Sequence, residues 1–285
     1  MKKIVVLAKQ VPDTANITGQ AMKEDGTVNR GKLPAIFNPE DLNGLQMALD
    51  IKEKIEAEVH VVTMGPARAV EILKQSLYLG ADKVYLISDK KFAGADTLAT
   101  SYVLSEAVKK IGNVDLVIAG RQAIDGDTAQ VGPQVADKIG FNQITYVSKL
   151  KKVTTDFIIV ERDGEVQTEE IKSHFPVLLT VTEEANEPGY SNCLRMHRYF
   201  KCDIAENFSP QELKAAKERK LVIPVFDTKN MNLDLKKCGL DGSPTKVKKI
   251  KSITLAGGDL EMFNADDSGV KMLIDDIMKE YTEAN

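Results

Sequence analysis

Gly120-Arg121-Gln122-Ala123-Ile124-Asp125-Gly126-Asp127-Thr128-Ala129-Gln130-Val131-Gly132-Pro133 follows the strand-like run Val114 to Ala119, apolar except for Asp115, and opens a helix. A mostly apolar run of this length, without regular polar alternation, reads as a buried strand. In open α/β sheets, ligands bind at the end of the strand where it gives way to its helix. A helix start there offers unpaired main-chain N–H groups and the positive end of the dipole. Asp127 to Val131 can therefore hold a phosphate or pyrophosphate without a P-loop lysine, and Gly126 lets the backbone approach closely. The same residues serve equally as a plain connection, with Asp127 or Thr128 capping the helix while Gly120 and Gly126 make the turn. A magnesium site on Asp125 and Asp127 ranks lower, because two loop carboxylates recruit that ion chiefly when substrate phosphates supply further ligands. Both carboxylates are expected to turn away from a phosphate or to bind N–H groups.

Working outward, Ile4 to Ala8 is the central first strand, closed by the turn-forming Val11-Pro12-Asp13-Thr14. After a polar excursion through Gly31, Asn38 fits a helix N-cap with Pro39 at the first helical position, and Leu42, Leu45, Leu49 and Ile55 mark the apolar side. Val59 to Thr63, Val84 to Ile87 and Val114 to Ala119 read as strands. They alternate with helices over Val70 to Leu77 and Thr97 to Ile111, the second of which follows Gly94-Ala95-Asp96. This alternation predicts a parallel sheet with right-handed crossovers, covered on both faces. The runs 157–161 and 177–182, with a hairpin turn at Asp163-Gly164, predict antiparallel edge strands. Beyond Glu183 the chain is polar and irregular, apart from a capping box at Ser209-Pro210-Gln211-Glu212 and an amphipathic helix carrying Val270, Leu273, Ile274 and Ile277. The fold class is α/β: a doubly wound, mostly parallel sheet with antiparallel edge strands and a C-terminal arm. Residues 1–190 are expected to form the nucleotide-binding domain and 191–285 a partner-docking arm with helices.

The 285 residues suffice to bury a substantial core. A net charge of −4 with interspersed signs leaves no footprint for nucleic acid. The N-terminal apolar run stops at Lys9, too short for a signal sequence or a membrane span, so a cytoplasmic location is expected. Cys193, Cys202 and Cys238 are widely spaced and offer neither a disulfide framework nor a metal or cluster motif, so redox chemistry must come from a bound cofactor.

Three further turns belong to the same sheet edge: Leu7-Ala8-Lys9, Thr63-Met64-Gly65 and Ala93 to Thr97. Each alone is an ordinary connection, but together they can enclose an adenosine. There is no G-x-G-x-x-G, P-loop, G-x-S-x-G or H-E-x-x-H pattern, and His60 and His174 have no partner motif, so no catalytic side chain is assigned. The basic stretch Arg195-Met196-His197-Arg198 is either solvated surface or a docking patch. A universal-stress-type nucleotide-binding module shares the alternating pattern, although its glycine pattern is not obvious here.

Val11-Pro12-Asp13-Thr14, Asn38-Pro39-Glu40-Asp41, Val62-Thr63-Met64-Gly65-Pro66, the Gly120 to Pro133 loop and the stretch Ile159 to Thr182 resemble the electron-transfer flavoprotein beta subunits over essentially the whole chain. The resemblance implies an adenine-nucleotide alpha-hydrolase-like fold and a heterodimer with an alpha subunit that carries the electron-transferring FAD. It also implies a second nucleotide here, AMP in housekeeping members and FAD in bifurcating ones. By position its contacts fall on Leu7, Asn38, Pro39, Glu40, Asp41, Met64, Gly120, Arg121, Gln122, Ala123, Ile124, Asp125, Gly126, Asp127, Thr128, Ala129, Gln130 and Val131, and the turns at the same sheet edge add Ala8, Asp96 and Thr97 as candidates. The forms of 121–133, 94–100 and Gly242-Ser243-Pro244-Thr245 are similar to the electron-bifurcating branch. That branch implies NADH as donor, ferredoxin or flavodoxin as one acceptor, and an acyl-CoA dehydrogenase-like enzyme as the other, reached through the alpha-subunit FAD. A docking loop after Asn186-Glu187-Pro188 would use Cys193 or Leu194 as its apolar anchor, with Gly189 departing from the arginine of housekeeping members.

Overall fold

A computed structural model describes residues 1–13, 34–245 and 262–283; Thr14 and the excursion through Gly31 lie outside them. Nine strands form the main sheet in the order β13-β5-β4-β1-β6-β10-β7-β8-β9. In chain order these are β1 (Lys2–Ala8), β4 (Ala57–Met64), β5 (Lys83–Ile87), β6 (Leu116–Gly120), β7 (Asn142–Val153), β8 (Phe157–Asp163), β9 (Thr168–His174), β10 (Val177–Val181) and β13 (Val225–Phe226). Two minor pairs complete the strands: β2 (Gln10–Pro12) with β3 (Ala35–Phe37), and β11 (Asp203–Ile204) with β12 (Val222–Ile223). Gln10 to Pro12 is thus paired antiparallel, where the sequence suggested only a turn.

The pleat of β1 explains the layering. Ile4, Val6 and Ala8 join one buried cluster with α1 (Pro39–Lys54) and α2 (Val70–Leu79), through Leu45, Ile51, Leu73 and Leu77. Val5 and Leu7 join the other, with α3 (Thr97–Ile111) and α4 (Val131–Ile139), through Val103, Ala107, Val135 and Ala136. A strand covered on both faces has no polar alternation to show, which is why these runs are continuous. From β1 the chain winds outward through β4 and β5, then returns across the sheet to place β6 on the other side of β1. The strand order reverses there, and open sheets of this type bind ligands at the carboxyl ends of the strands flanking such a switch.

The run at 177–182 departs from expectation. β10 is parallel to both β6 and β7, and all five of its residues are buried. Only β8 and β9, joined by a hairpin at Gly164 to Gln167, extend the sheet antiparallel from β7. Five consecutive buried residues need cover on both faces, which an edge position does not provide. The lysine-rich stretch 142–153 forms β7, next to β10.

The last third is tied to the sheet as well. β13 pairs with β5, and Phe226, Met231 and Cys238 are buried in the α3/α4 cluster. Ser209 makes the expected capping box at the start of α6 (Pro210–Glu218). The amphipathic helix is α7 (Asp267–Glu283), on which Val270, Met272, Leu273, Ile274, Ile277 and Met278 are exposed.

Candidate functional site

At the switch point a cavity of about 720 Å³ opens over the carboxyl ends of β1, β4, β5 and β6. That volume falls within the roughly 300–1,000 Å³ of small-molecule sites. Leu7 and Ala8 leave β1 into it, Met64 leaves β4, and Ile87 leaves β5. Asp96 and Thr97 at the start of α3 close one side, and the 120–132 loop closes the other.

Two helix starts border the cavity and differ in one respect. Asp96 caps α3, its carboxylate accepting the N–H of Ala99 at 3.0 Å, whereas α4 has no side-chain cap. The sequence placed the helix start within Asp127 to Val131, and regular helix begins only at Val131 because Asp127 (φ 48°) and Ala129 (φ 51°) are left-handed. Left-handed Ala129 followed by right-handed Gln130 makes a turn whose successive N–H groups converge, an anion-binding concavity. The N–H groups of Thr128, Ala129 and Gln130 have no acceptor among the described residues. Gly126 lies on this wall with no atom within 4 Å of the space a Cβ would occupy. Uncommitted donors, a free helix dipole and an open glycine fit a phosphate group.

The loop is held from behind by the first turn of α1. Asn38 does not cap its own helix; its amide donates to the Gln122 carbonyl at 2.8 Å and accepts the Ile124 N–H at 3.1 Å. Glu40 accepts the Gln122 N–H at 2.8 Å and pairs with the Arg121 guanidinium at 2.8 Å. Asp41 accepts the N–H groups of Gly120 at 2.9 Å and Lys9 at 2.8 Å, tying the ends of β6 and β1 together. Burial pushes the Asp41 carboxyl up to about 7, against the pull of those two N–H groups.

The remaining carboxylates are engaged by protein donors. Asp125 pairs with Lys9 at 2.6 Å, and Asp127 accepts from the Gln122 amide at 3.2 Å. Asp89 accepts the N–H of Lys91, then the hydroxyl and N–H of Thr228, and these bonds hold it below the usual range. Burial works against ionisation of Asp96, but the N–H groups of Ala99 and Thr245 outweigh it and keep that carboxyl low.

Residues 25–221 match the model of the electron transfer flavoprotein domain. The chain is also similar along its length to three other proteins. It is 36% identical to an electron transfer flavoprotein subunit beta of Megasphaera elsdenii, covering 98% of this chain and 97% of that one. It is 41% identical to the caffeyl-CoA reductase-Etf complex subunit CarD of Acetobacterium woodii, covering 90% of each. It is 35% identical to the acryloyl-CoA reductase electron transfer subunit gamma of Anaerotignum propionicum, over 98% and 99% respectively. The chain belongs to the electron transfer flavoprotein family.

In this electron transfer flavoprotein chain the residues expected to touch a nucleotide separate into two groups. Leu7, Ala8, Asp41, Met64, Asp96, Thr97, Gly120 to Ala123 and Gly126 to Val131 line the cavity. Asn38, Pro39, Glu40, Ile124 and Asp125 are not on its wall. Asn38 and Glu40 act on the loop from behind it, a role that local pattern does not reveal because their partners lie 82 to 86 positions away.

Residues not assigned to the site from the sequence also shape the flavoprotein's cavity. The wall segment 88–97 is fixed from outside by the chain beyond β13. Thr228 bonds Asp89, Ser243 accepts the Asp96 N–H at 2.8 Å, and Leu240 packs so closely on left-handed Gly94 that a Cβ there would lie 2.8 Å away. Cys193 and Leu194 open α5 (Cys193–Tyr199), which Asn192 caps. Leu194 is 82% exposed and Tyr190, two residues before that cap, 98%. Of the basic stretch, Arg195 is neither free surface nor a free docking group: it donates to the carbonyls of Leu77 and Ala81 at the end of α2. No helix among the described residues is long and apolar enough to cross a membrane.

Proposed function

We propose that this chain is the beta subunit of a heterodimeric, electron-bifurcating flavoprotein complex, with an FAD in the cavity between the 120–132 loop and the 88–97 wall. The observation that carries the reading is the uncapped start of α4, where Thr128, Ala129 and Gln130 present uncommitted N–H groups beside open Gly126. These groups hold the diphosphate, and Leu7, Ala8 and Met64 supply an apolar bed for the rest of the nucleotide. Asn38, Glu40 and Asp41 keep the loop at a fixed distance from β1. When bound, an FAD would supply the redox chemistry, namely hydride acceptance from NADH and single-electron transfer to ferredoxin or flavodoxin and, through the alpha-subunit FAD, to an acyl-CoA dehydrogenase-like partner. The protein's own part is placement and electrostatics, and none of its side chains is assigned as acid or base.

Two relatives are named as parts of CoA-thioester reductase systems, which supports a partner of that chemistry. The exposed apolar side of α7 is assigned to the alpha subunit, within the arm 191–285, and Leu194 with Cys193 to the dehydrogenase-like enzyme. The complex is placed in the cytoplasm.

The deciding measurement is the nucleotide released on denaturing the co-expressed heterodimer. Two FAD per heterodimer, together with bleaching of the flavin by NADH, is the expected result. One FAD and one AMP reduces the function to simple electron carriage. A stable isolated monomer with neither flavin, binding ATP, would point instead to a nucleotide-sensing module.

Leu194→Asp is expected to leave the thermal midpoint and the flavin content unchanged, since surface substitutions change stability within about 0.5 kcal/mol. Transfer to the dehydrogenase-like partner should fall by at least about tenfold, the loss typical of a central apolar anchor. Unchanged transfer would remove Leu194 from the interface.

A further inference from the structure

Five non-glycine residues among those described have left-handed backbone. Asn113 and Lys220 lie just past helix ends, where that conformation is common, and Asp127 and Ala129 belong to the loop already described. The fifth, Tyr146 (φ 58°), lies inside β7, where a bulky residue in this conformation is a genuine outlier. Such outliers persist where the surroundings over-determine them, and they concentrate at functional sites.

The register shows how it is imposed. Leu179 of β10 faces Ile144 of β7 and Val181 faces Val147, so Thr145 and Tyr146 both stand opposite Thr180. This is a β-bulge, a device that bends a strand and re-aims a side chain. The hydroxyl of Thr180 accepts the Tyr146 N–H at 3.2 Å, and its methyl packs on Gly132, where a Cβ would lie 2.7 Å away. The bulge is therefore anchored to the first turn of α4, at the cavity. Its effect is to bring the Tyr146 ring, 40% exposed, to 5.6 Å from the Arg121 guanidinium. Arg121 lines the cavity. Among the described residues Glu40 is its ion-pair partner, Glu184 acts on it only at longer range, and its buried Nε donates to nothing.

We propose that Tyr146 is a positioning residue of the nucleotide cavity: the bulge sets its ring against Arg121, so that the guanidinium stays at the cavity wall to engage oxygen atoms of the bound nucleotide. The assignment rests on the reading that the cavity holds a nucleotide.

The test is a double-mutant cycle on the co-expressed heterodimer, stripped of nucleotide and titrated calorimetrically with FAD or AMP, whichever the unstripped complex releases. Tyr146→Phe keeps the ring and should bind within twofold of the unsubstituted chain. Tyr146→Gly accepts left-handed backbone freely, so its thermal midpoint should not fall, yet its Kd should rise about two- to fivefold, the equivalent of one exposed cation–π contact. Arg121→Ala should also raise Kd, and adding Tyr146→Gly to it should change nothing further. The proposal is overturned if Tyr146→Gly binds as tightly as the unsubstituted chain, or if it weakens binding equally when Arg121 is absent. An unsubstituted complex that binds neither FAD nor AMP would instead remove the nucleotide reading, and this assignment with it.

Discussion

Gly120→Ala is expected to displace the loop after β6 and lower stability toward the upper part of the 1–3 kcal/mol range typical of overpacked cores. The added methyl would lie 2.5 Å from Asp41 Oδ1, 2.7 Å from the Asp41 main-chain nitrogen and 2.8 Å from the carbonyl carbon of Glu40. Two of these atoms are backbone in the first turn of α1, so no rotamer change relieves the contact. Either α1 or the end of β6 must move, and both carry the hydrogen bonds that fix the cavity. Nucleotide content of the purified heterodimer should fall together with the denaturant midpoint. Gly126→Ala is the matched control: with nothing within 4 Å it should leave the midpoint unchanged and affect only ligand binding. If Gly120→Ala were as stable as Gly126→Ala, the close approach of β6 to α1 would not be a constraint on the fold.

Asp41→Asn is expected to cost about 1–3 kcal/mol, because one of the two N–H groups now accepted by its oxygens would face an amide NH₂ and be left buried without an acceptor. The substitution also changes how stability depends on pH. Burial raises the Asp41 carboxyl from 3.8 to about 7, so between those values the folded chain binds a proton that the unfolded chain has released. This contribution is fully present below about 3.8 and is lost as pH rises through about 7, so stability falls with pH in that window. The asparagine variant lacks that slope. Chemical denaturation at pH 5 and pH 8 should show the unsubstituted chain losing more stability between the two than the variant does. Parallel pH dependences would show that Asp41 is ionised in the folded chain throughout. A carboxyl that takes up a proton near neutrality is also compatible with an anionic ligand on the same wall, where a fixed negative charge would oppose binding.

The fold was legible because its main signal is local. Residues 4–8, 59–63 and 84–87 lack polar alternation, since helices cover both of their faces, and Gly65-Pro66, Gly80 and Asp96 mark where one element yields to the next. The edge that carries the cavity followed from the order of elements alone. The run at 177–182 shows where local reading stops. Its composition fits any buried strand, and only the register with residues 116–120 on one side and 142–147 on the other makes it an interior parallel strand.

The candidate site divides in the same way. Glycine at 120 and 126 and the polar run after them announced a turn into a helix, but the left-handed pair Asp127 and Ala129 delays the helix and creates the fan of N–H groups. Asn38 looked like a cap because Asn before Pro usually is one; in the fold, two groups of a distant loop take its amide instead. Tyr146 carried no sequence signal, since its role depends on a bulge and on an arginine 25 positions earlier.

By itself the sequence determined the alternation of strands and helices, the two-faced burial of the central strands and the edge at which strand ends meet helix starts, because each rests on patterns within a few residues. Only the tertiary structure decided the position of Val177–Val181 in the sheet, the turning of Asn38 and Glu40 toward the loop, and the meeting of Tyr146 with Arg121. Those outcomes depend on hydrogen bonds and ring contacts between residues that only the folded chain brings together, and neighbouring residues in the sequence do not encode them.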